Sequence, residues 1–285
     1  MIDALTMTPA VFFCLMLICE AVFPLRKRVR PQRHRFLINM TITAFVFIAG
    51  SLVVKPLAMG AAKLFLMEPT GILRLLQLSN GFRFVIGFLL MDLSFYYWHR
   101  LNHALPLLWR FHLVHHIDPD MDVSTSFRFH FVEILYSSIF RVFQVLVIGV
   151  SPMLYLAYEL IFLCATMFHH SNLRLPLGAE RLLNRLFVTP RMHGIHHSGV
   201  REETNSNYSV IFRWWDWLHG TLRLNVPQSD ITIGVPAHLE PRDNSLIKLL
   251  KMPFRKQKDD WVAEDGSQLY TRDSDGDSSA KVLAG

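Results

Sequence analysis

Three short histidine clusters constrain this chain more than any other feature. They read His99-Arg-Leu-Asn-His103, His112-Leu-Val-His115-His116 and His193-Gly-Ile-His196-His197. Residues three and four apart lie on one helix face, so the first cluster aims two imidazoles the same way. In the other two, the first histidine shares a face with both members of the following pair. Neutral imidazole is the commonest metal-binding side chain. Eight are too many for one structural zinc, which takes four ligands, and two metals sharing the set is the more economical reading. Loose surface metal binders are uninterrupted polar tracts, whereas these clusters are interleaved with Leu, Val, Ile and Trp. The isolated His34, His219 and His238 are read as satisfied core residues.

The chain around the clusters is 51% hydrophobic and 18% charged, with 22 Phe and 6 Trp. Soluble domains carry about 25% charged residues, so the expectation is an all-α polytopic membrane bundle. The net charge of +6 is uneven, because the stretch from Asp259 is acidic. Basic loops beside apolar spans suit an anionic cytoplasmic leaflet, and no nucleic-acid motif is present. Cys14, Cys19 and Cys164 sit in apolar runs without pairing or metal spacing and are read as small hydrophobes.

A first span is expected from Pro9 to Leu25, broken only by Glu20, and retained rather than cleaved as a signal peptide. It ends at the basic stretch Arg26 to Arg35, which the positive-inside rule places in the cytoplasm, with the N-terminus outside. A second span is expected over Phe36 to Val54, then an interfacial or re-entrant segment from Ala61 to Leu78. The third span starts near Phe82 and ends at the first cluster. Asp92 lies two turns before His99 on the same face, where it is expected to orient a histidine through the second ring N–H. The alternative is a carboxylate paired with an arginine. After a polar segment carrying the second cluster, Phe131 to Val150 and Met153 to Phe168 form a hairpin around Ser151-Pro152. The bundle thus has four to five spans or half-spans under a cytoplasmic histidine-rich helical cap.

The clusters, with the histidine in Phe-His-His-Ser-Asn between the last two, resemble the fatty acid hydroxylase/sterol desaturase superfamily of integral-membrane di-iron enzymes. Asp-Met-Asp-Val-Ser-Thr-Ser-Phe-Arg-Phe-His is similar to the family's stretch after its second cluster. Val188-Thr-Pro-Arg-Met-His193 and Asn207-Tyr-Ser-Val-Ile-Phe-Arg-Trp-Trp-Asp216-Trp-Leu-His-Gly-Thr221 are similar to its third cluster and the segment beyond. The likeness covers roughly Asp92 to Thr221, nearest to bacterial sterol-desaturase-like members. It implies iron ligation by His99, His103, His112, His115, His116, His170, His193, His196 and His197. His169 and His130 are placed outside that set, His130 as an outer-sphere or substrate-facing residue. A further ligand found in some relatives falls here on Thr166, which leaves the tenth position to a water or another residue. The chain as a whole is read as residues 1–81 (spans and interfacial segment), 82–254 (catalytic fatty acid hydroxylase-like domain) and 255–285 (disordered acidic tail).

Breaking an unactivated C–H bond needs a strong oxidant made from dioxygen at iron. The implied activity is O2-dependent hydroxylation or desaturation of a lipid, with two irons in an all-histidine shell and Asp92 and Glu133 outside it. Electrons must come from an external donor, cytochrome b5-like, ferredoxin-like or another reductase. The chain has no Gly-x-Gly-x-x-Gly site and no cysteine set for an iron–sulfur centre. A bacterial inner membrane is expected rather than endoplasmic reticulum. A zinc hydrolase is the alternative enzyme, but His-Glu-x-x-His is lacking. A haem-binding or metal-transport protein is the non-enzyme alternative. It would need histidines in facing spans, or polar residues through several spans.

Overall fold

The computed structural model describes residues 4–67, 71–257, 259–262 and 267. Helix α1 (Ala4–Val22) is followed by α2 (Gln32–Ala49), a π-helical turn (Gly50–Val54) and α3 (Lys55–Met67). The last three run on as one apolar rod, Gln32–Leu64, of 33 residues. The expected end of the second span at Val54 and the interfacial segment from Ala61 are therefore corrected. Lys55 and Lys63 are exposed on the rod, where a long side chain can carry its charge outward without ending the helix. The π-turn lies directly before Pro56, whose ring would otherwise meet the carbonyl one turn back. Ala58, Ala61 and Ala62 are buried in a core with Val145, Ile148 and Tyr155, and small side chains of this kind let helices approach closely.

After α4 (Ile72–Leu75), the 25-residue α5 (Asn80–Ala104) carries the first cluster in its last turns. Leu105, preceding Pro106, is extended with ψ 118°, because proline excludes the helical region for its predecessor. The chain reverses there into α6 (Pro106–His116), which carries the second cluster. A 3-10 turn (Val123–Phe127) capped by Asp122 leads to α7 (Phe131–Ile148). Gly149, at φ 82°, closes α7 in the left-handed conformation that glycine favours. Ser151 then caps α8 (Pro152–His170) through the Leu154 N–H, so the expected hairpin forms at Ser151-Pro152.

Short helices follow: α9 (Leu177–Leu183), α10 (Pro190–His196) with the third cluster, α11 (Arg201–Thr204), α12 (Trp214–Leu218) and α13 (Leu246–Lys251). Among the described residues, the extended pairing consists of isolated antiparallel bridges such as Pro24 with Leu173 and Phe187 with Phe212. The protein is all-helical and membrane-embedded. Gln32–Leu64, Phe131–Ile148 and Pro152–His170 are long and apolar enough to cross a bilayer, and Met7–Val22 is a shorter apolar helix. Helix α5, expected as a span, is long enough but is not among the three. Asp92 has company inside the apolar helices: Glu20 is buried in α1, and Arg141 of α7 pairs with Glu159 of α8 at 3.0 Å.

A buried ionic network fixes the loop between α6 and α7 to the start of α2. Asp118 accepts from Arg35 Nη1 at 2.8 Å, Asn39 Nδ2 at 3.0 Å and Thr125 Oγ1 at 2.8 Å. Arg35 also holds Asp122. The fully buried Arg128 donates to Val114 O, Asn39 Oδ1 and Asn244 Oδ1 at 2.6–2.9 Å. The tail expected to be disordered from residue 255 is packed at its start. Asp260 accepts from Trp109 Nε1 at 2.8 Å and from His238 at 2.9 Å, and Trp261 is buried. Residue 258 and nearly all of the tail beyond Val262 lie outside the described residues.

Candidate metal centre

The α5–α6 reversal sets the first two clusters face to face, and α8 and α10 close the other side. The histidines sort into two groups, in each of which one ligating nitrogen per residue lies within 4.8 Å of the others. One group is His99, His103, His112, His116 and His196, and the other is His115, His170, His193 and His197. All nine expected ligands are brought together. The adjacent pairs split between groups, because neighbouring residues on a helix point about 100° apart. The i,i+4 partners stay together: His99 with His103, His112 with His116, and His193 with His197. The groups adjoin, with the His116 and His197 rings stacked at 4.4 Å between centroids.

The outer ring nitrogens show which lone pairs face inward. His99 Nδ1 donates to Tyr208 O at 2.8 Å, His196 Nδ1 to Ser206 O at 2.7 Å and His170 Nδ1 to Thr166 O at 2.8 Å. His112 Nδ1 meets the Glu133 carboxylate at 2.9 Å. A carbonyl can only accept, so Nδ1 carries the proton and Nε2 keeps a free lone pair. His170 Nε2 lies 3.0 Å from the Nε2 atoms of both His115 and His193. Such a separation suits nitrogens that bind one cation at about 2.0–2.1 Å each. Both ring nitrogens of His103, His116 and His197, and Nε2 of His112 and His196, are buried without a hydrogen-bond partner. Orphaned buried nitrogens are costly, and metal ligation would satisfy one of them on each ring.

Burial foremost, and neighbouring histidines next, hold the pKa values of His115, His116, His193, His196 and His197 well below the ordinary 6.5. They are neutral near pH 7, as metal ligands must be. In metal-depleted protein the unfolded chain binds more protons once pH drops below about 6.5. The stability these groups contribute is present above that value and is lost as pH falls toward their folded values. Metal-depleted protein is expected to melt progressively lower from about pH 6.5 to pH 5, as thermal unfolding in detergent would show.

The loop likened above to the family's segment beyond the third cluster does much of the positioning, a role that sequence reading did not assign to it. Residues 206, 208 and 210 present carbonyls to His196, His99 and His169, the last at 3.1 Å. Asp216 shapes this loop by accepting from Tyr208 N at 2.8 Å, Ser209 N at 2.9 Å and Thr221 Oγ1 at 2.7 Å. The sequence signal was Asn207, which stands at φ 54°, a conformation asparagine tolerates better than most residues. Asp92 belongs to the same support. It accepts from Trp215 Nε1 at 2.8 Å and Phe212 N at 3.1 Å. The expected bond from Asp92 to a histidine is therefore corrected, since the Tyr208 carbonyl holds the His99 N–H.

Glu133 does for His112 what was expected of Asp92. Glu133→Gln is expected to weaken metal retention about 10- to 100-fold, a range typical of such outer partners. Chelator competition measures it. His130 is corrected as well: its Nδ1 caps α7 at Val132 N, 3.2 Å away, and its Nε2 meets Leu250 O. His169 packs on His193 with centroids 4.1 Å apart, beside the four-histidine group. Thr166 donates its hydroxyl to Phe162 O at 2.8 Å, which commits that proton within its own helix. Among the isolated histidines, His238 is buried. His219 is satisfied by Trp215 O and Tyr97, whereas His34 is exposed rather than core.

Comparison with known proteins agrees with this geometry. The sequence model of the fatty acid hydroxylase family matches residues 84–221, the segment that holds every histidine of both groups. This segment of the chain resembles that family. It is 28% identical to the ornithine lipid hydroxylase OlsE of Rhizobium tropici over 69% of this chain and 58% of that one. It is 30% identical to human alkylglycerol monooxygenase over 47% and 29% of the two chains, and 29% identical to human cholesterol 25-hydroxylase over 52% and 51%. The matches thus span less than two thirds of these relatives' own lengths. No solved structure matches.

Proposed function

We propose that this chain is a membrane-bound di-iron oxygenase that uses O2 and external electrons to hydroxylate a C–H bond of a lipid. The observation that carries the reading is the sorting of nine histidines, eight of them buried and His103 partly so, into two adjoining groups with inward lone pairs. His99, His103, His112, His116 and His196 would hold one iron, and His115, His170, His193 and His197 the other. When bound, the pair supplies the redox capacity to reduce dioxygen and attack an unactivated C–H bond. The protein's share is binding, orientation and shielding. Glu133 and the carbonyls of Thr166, Ser206 and Tyr208 fix the imidazole orientations, and the burial of the centre limits water access.

Hydroxylation is favoured over desaturation because the relatives bear hydroxylase or monooxygenase names, and those names support a lipid substrate. The electron donor is a separate reductase system. The active side faces the cytoplasm, in a bacterial inner membrane. The basic loop after α1 lies at the histidine end of the molecule, where Arg26 donates to Pro190 O and Arg35 to Asp118, and basic loops remain cytoplasmic.

The test is metal analysis and an optical spectrum of protein expressed with iron, followed by mass spectrometry of host lipids. About two irons per chain, no haem band, and an O2-dependent gain of one oxygen in a lipid are expected. A haem band, or zinc with no oxidised lipid after iron reconstitution, would overturn the reading.

A further inference from the structure

One cavity opens along the seam between α1 and α8, and a second lies among the loops beyond the ends of both helices. The first, about 430 Å³, is lined chiefly by apolar side chains, including Phe12, Leu160, Ile161, Phe168 and Val188. The second, about 250 Å³, is lined by Arg26, Lys27, Arg28 and Arg30 with Asp120 and Asn172. The apolar cavity lies along both helices, and the basic one begins where both have ended. The helix ends are tied together: Pro24 pairs with Leu173. Asn172 also bonds both the N–H and the carbonyl of Arg26 at 2.9 Å.

We propose that this seam binds an anionic lipid, with an alkyl chain in the apolar cavity and a phosphate or carboxylate headgroup in the Arg26–Arg30 pocket. The proposal deepens the lipid-oxygenase reading, on which it rests, by naming the substrate class. Four cations line the basic pocket against one carboxylate, Asp120, already engaged by Val29 N at 2.7 Å and Arg30 N at 2.8 Å. Arg28 reaches Glu20 at 3.5 Å and Asp122 at 3.8 Å. Arg26 donates through Nη2 to Pro190 O at 2.9 Å, but its Nε and Nη1 are buried without a partner among the described residues. Burial, followed by repulsion from Arg191, pushes the Arg26 pKa down to about 10. An anion would satisfy this guanidinium with charge-assisted bonds.

The placement also connects the pocket to the metal centre. A Cβ at Gly194, inside the third cluster, would run into the Arg26 guanidinium. Phe168 of the apolar cavity immediately precedes His169 and His170. Each site thus includes or touches a residue within two positions of a histidine in the four-histidine group. A pocket of 250 Å³ suits a small anionic group better than the face of an electron-donor protein.

Native mass spectrometry of the full chain in mild detergent, titrated with phosphatidylglycerol and with phosphatidylcholine of matched chains, tests the proposal. Metal content is measured on the same samples. Phosphatidylglycerol is expected to bind about tenfold more tightly, a preference that Lys27→Gln with Arg30→Gln removes. Cys164→Phe, which fills the apolar cavity, should weaken both lipids. Equal affinities, or a preference the double variant retains, would overturn the headgroup assignment. Displacement of phosphatidylglycerol by equimolar inorganic phosphate would make the pocket a free-anion site and overturn the lipid. Retained preference with loss of reduction by an acidic donor protein would assign the pocket to that partner. Binding is read without turnover, so failure of the lipid site and failure of the oxygenase reading remain separate results.

Discussion

His196→Ala protein is expected to retain about one iron per chain where wild type holds about two, and to lose lipid hydroxylation by more than about 100-fold. His196 belongs to the five-histidine group, with its Nδ1 tied to Ser206 O and its Nε2 buried without a partner. Removing it deletes a ligand outright, a larger loss than the 10- to 100-fold typical of an outer-sphere change. His197→Ala is its counterpart in the four-histidine group and is expected to empty the other site. Each variant should lose metal selectively, because the neighbouring residues serve different groups. Metal analysis and product formation on the two variants read this directly. Full iron in both would remove these histidines from the ligand set.

Asp118→Ala should be the most destabilising single change among the charged residues. Burial would raise the Asp118 pKa, but Arg35, Arg128 and hydrogen bonds from Asn39 and Thr125 overcome it and hold the carboxyl below its ordinary range. Without the carboxylate, Arg128 remains fully buried and Arg35 nearly so, with less compensating charge. Breaking one partner of a buried ionic set costs about 3–5 kcal/mol. In a domain of this size that lowers the melting temperature on the order of 10 °C. The loop that follows the second cluster would loosen with it. Thermal unfolding and size-exclusion elution in detergent measure the loss. A shift of under about 2 °C would mean that the network contributes little.

The convergence of the eight clustered histidines was legible because imidazoles at i,i+3 and i,i+4 leave a trace in the sequence that few other purposes produce, whereas His170 was added by the family resemblance. The hairpin at Ser151-Pro152 was legible too, since cap and proline signals act locally. Three readings failed, each for its own reason. Asp92 lies on the helical face of His99, yet its partner is set by the 207–216 loop, which arrives from more than a hundred residues away. His130 is spent on capping α7. The second span was expected to end at Val54 on length, with Lys55 and Lys63 beyond it, whereas the helix runs on past both with their side chains exposed.

By itself the sequence determined the all-helical membrane class and the eight clustered histidines as a candidate metal set, while His170 and the di-iron chemistry came from the family resemblance. The class and the clustered set follow from periodicity, hydropathy and side-chain type, which are properties of neighbouring residues. Only the tertiary structure decided how His115 and His116, or His196 and His197, divide between two groups. It also decided which carbonyl or carboxylate fixes the His99, His112, His170 and His196 rings, and that an apolar cavity lies between α1 and α8 with a basic one beyond their ends. Those outcomes depend on contacts between segments far apart in the chain, and such contacts are set by packing and burial rather than by local spacing.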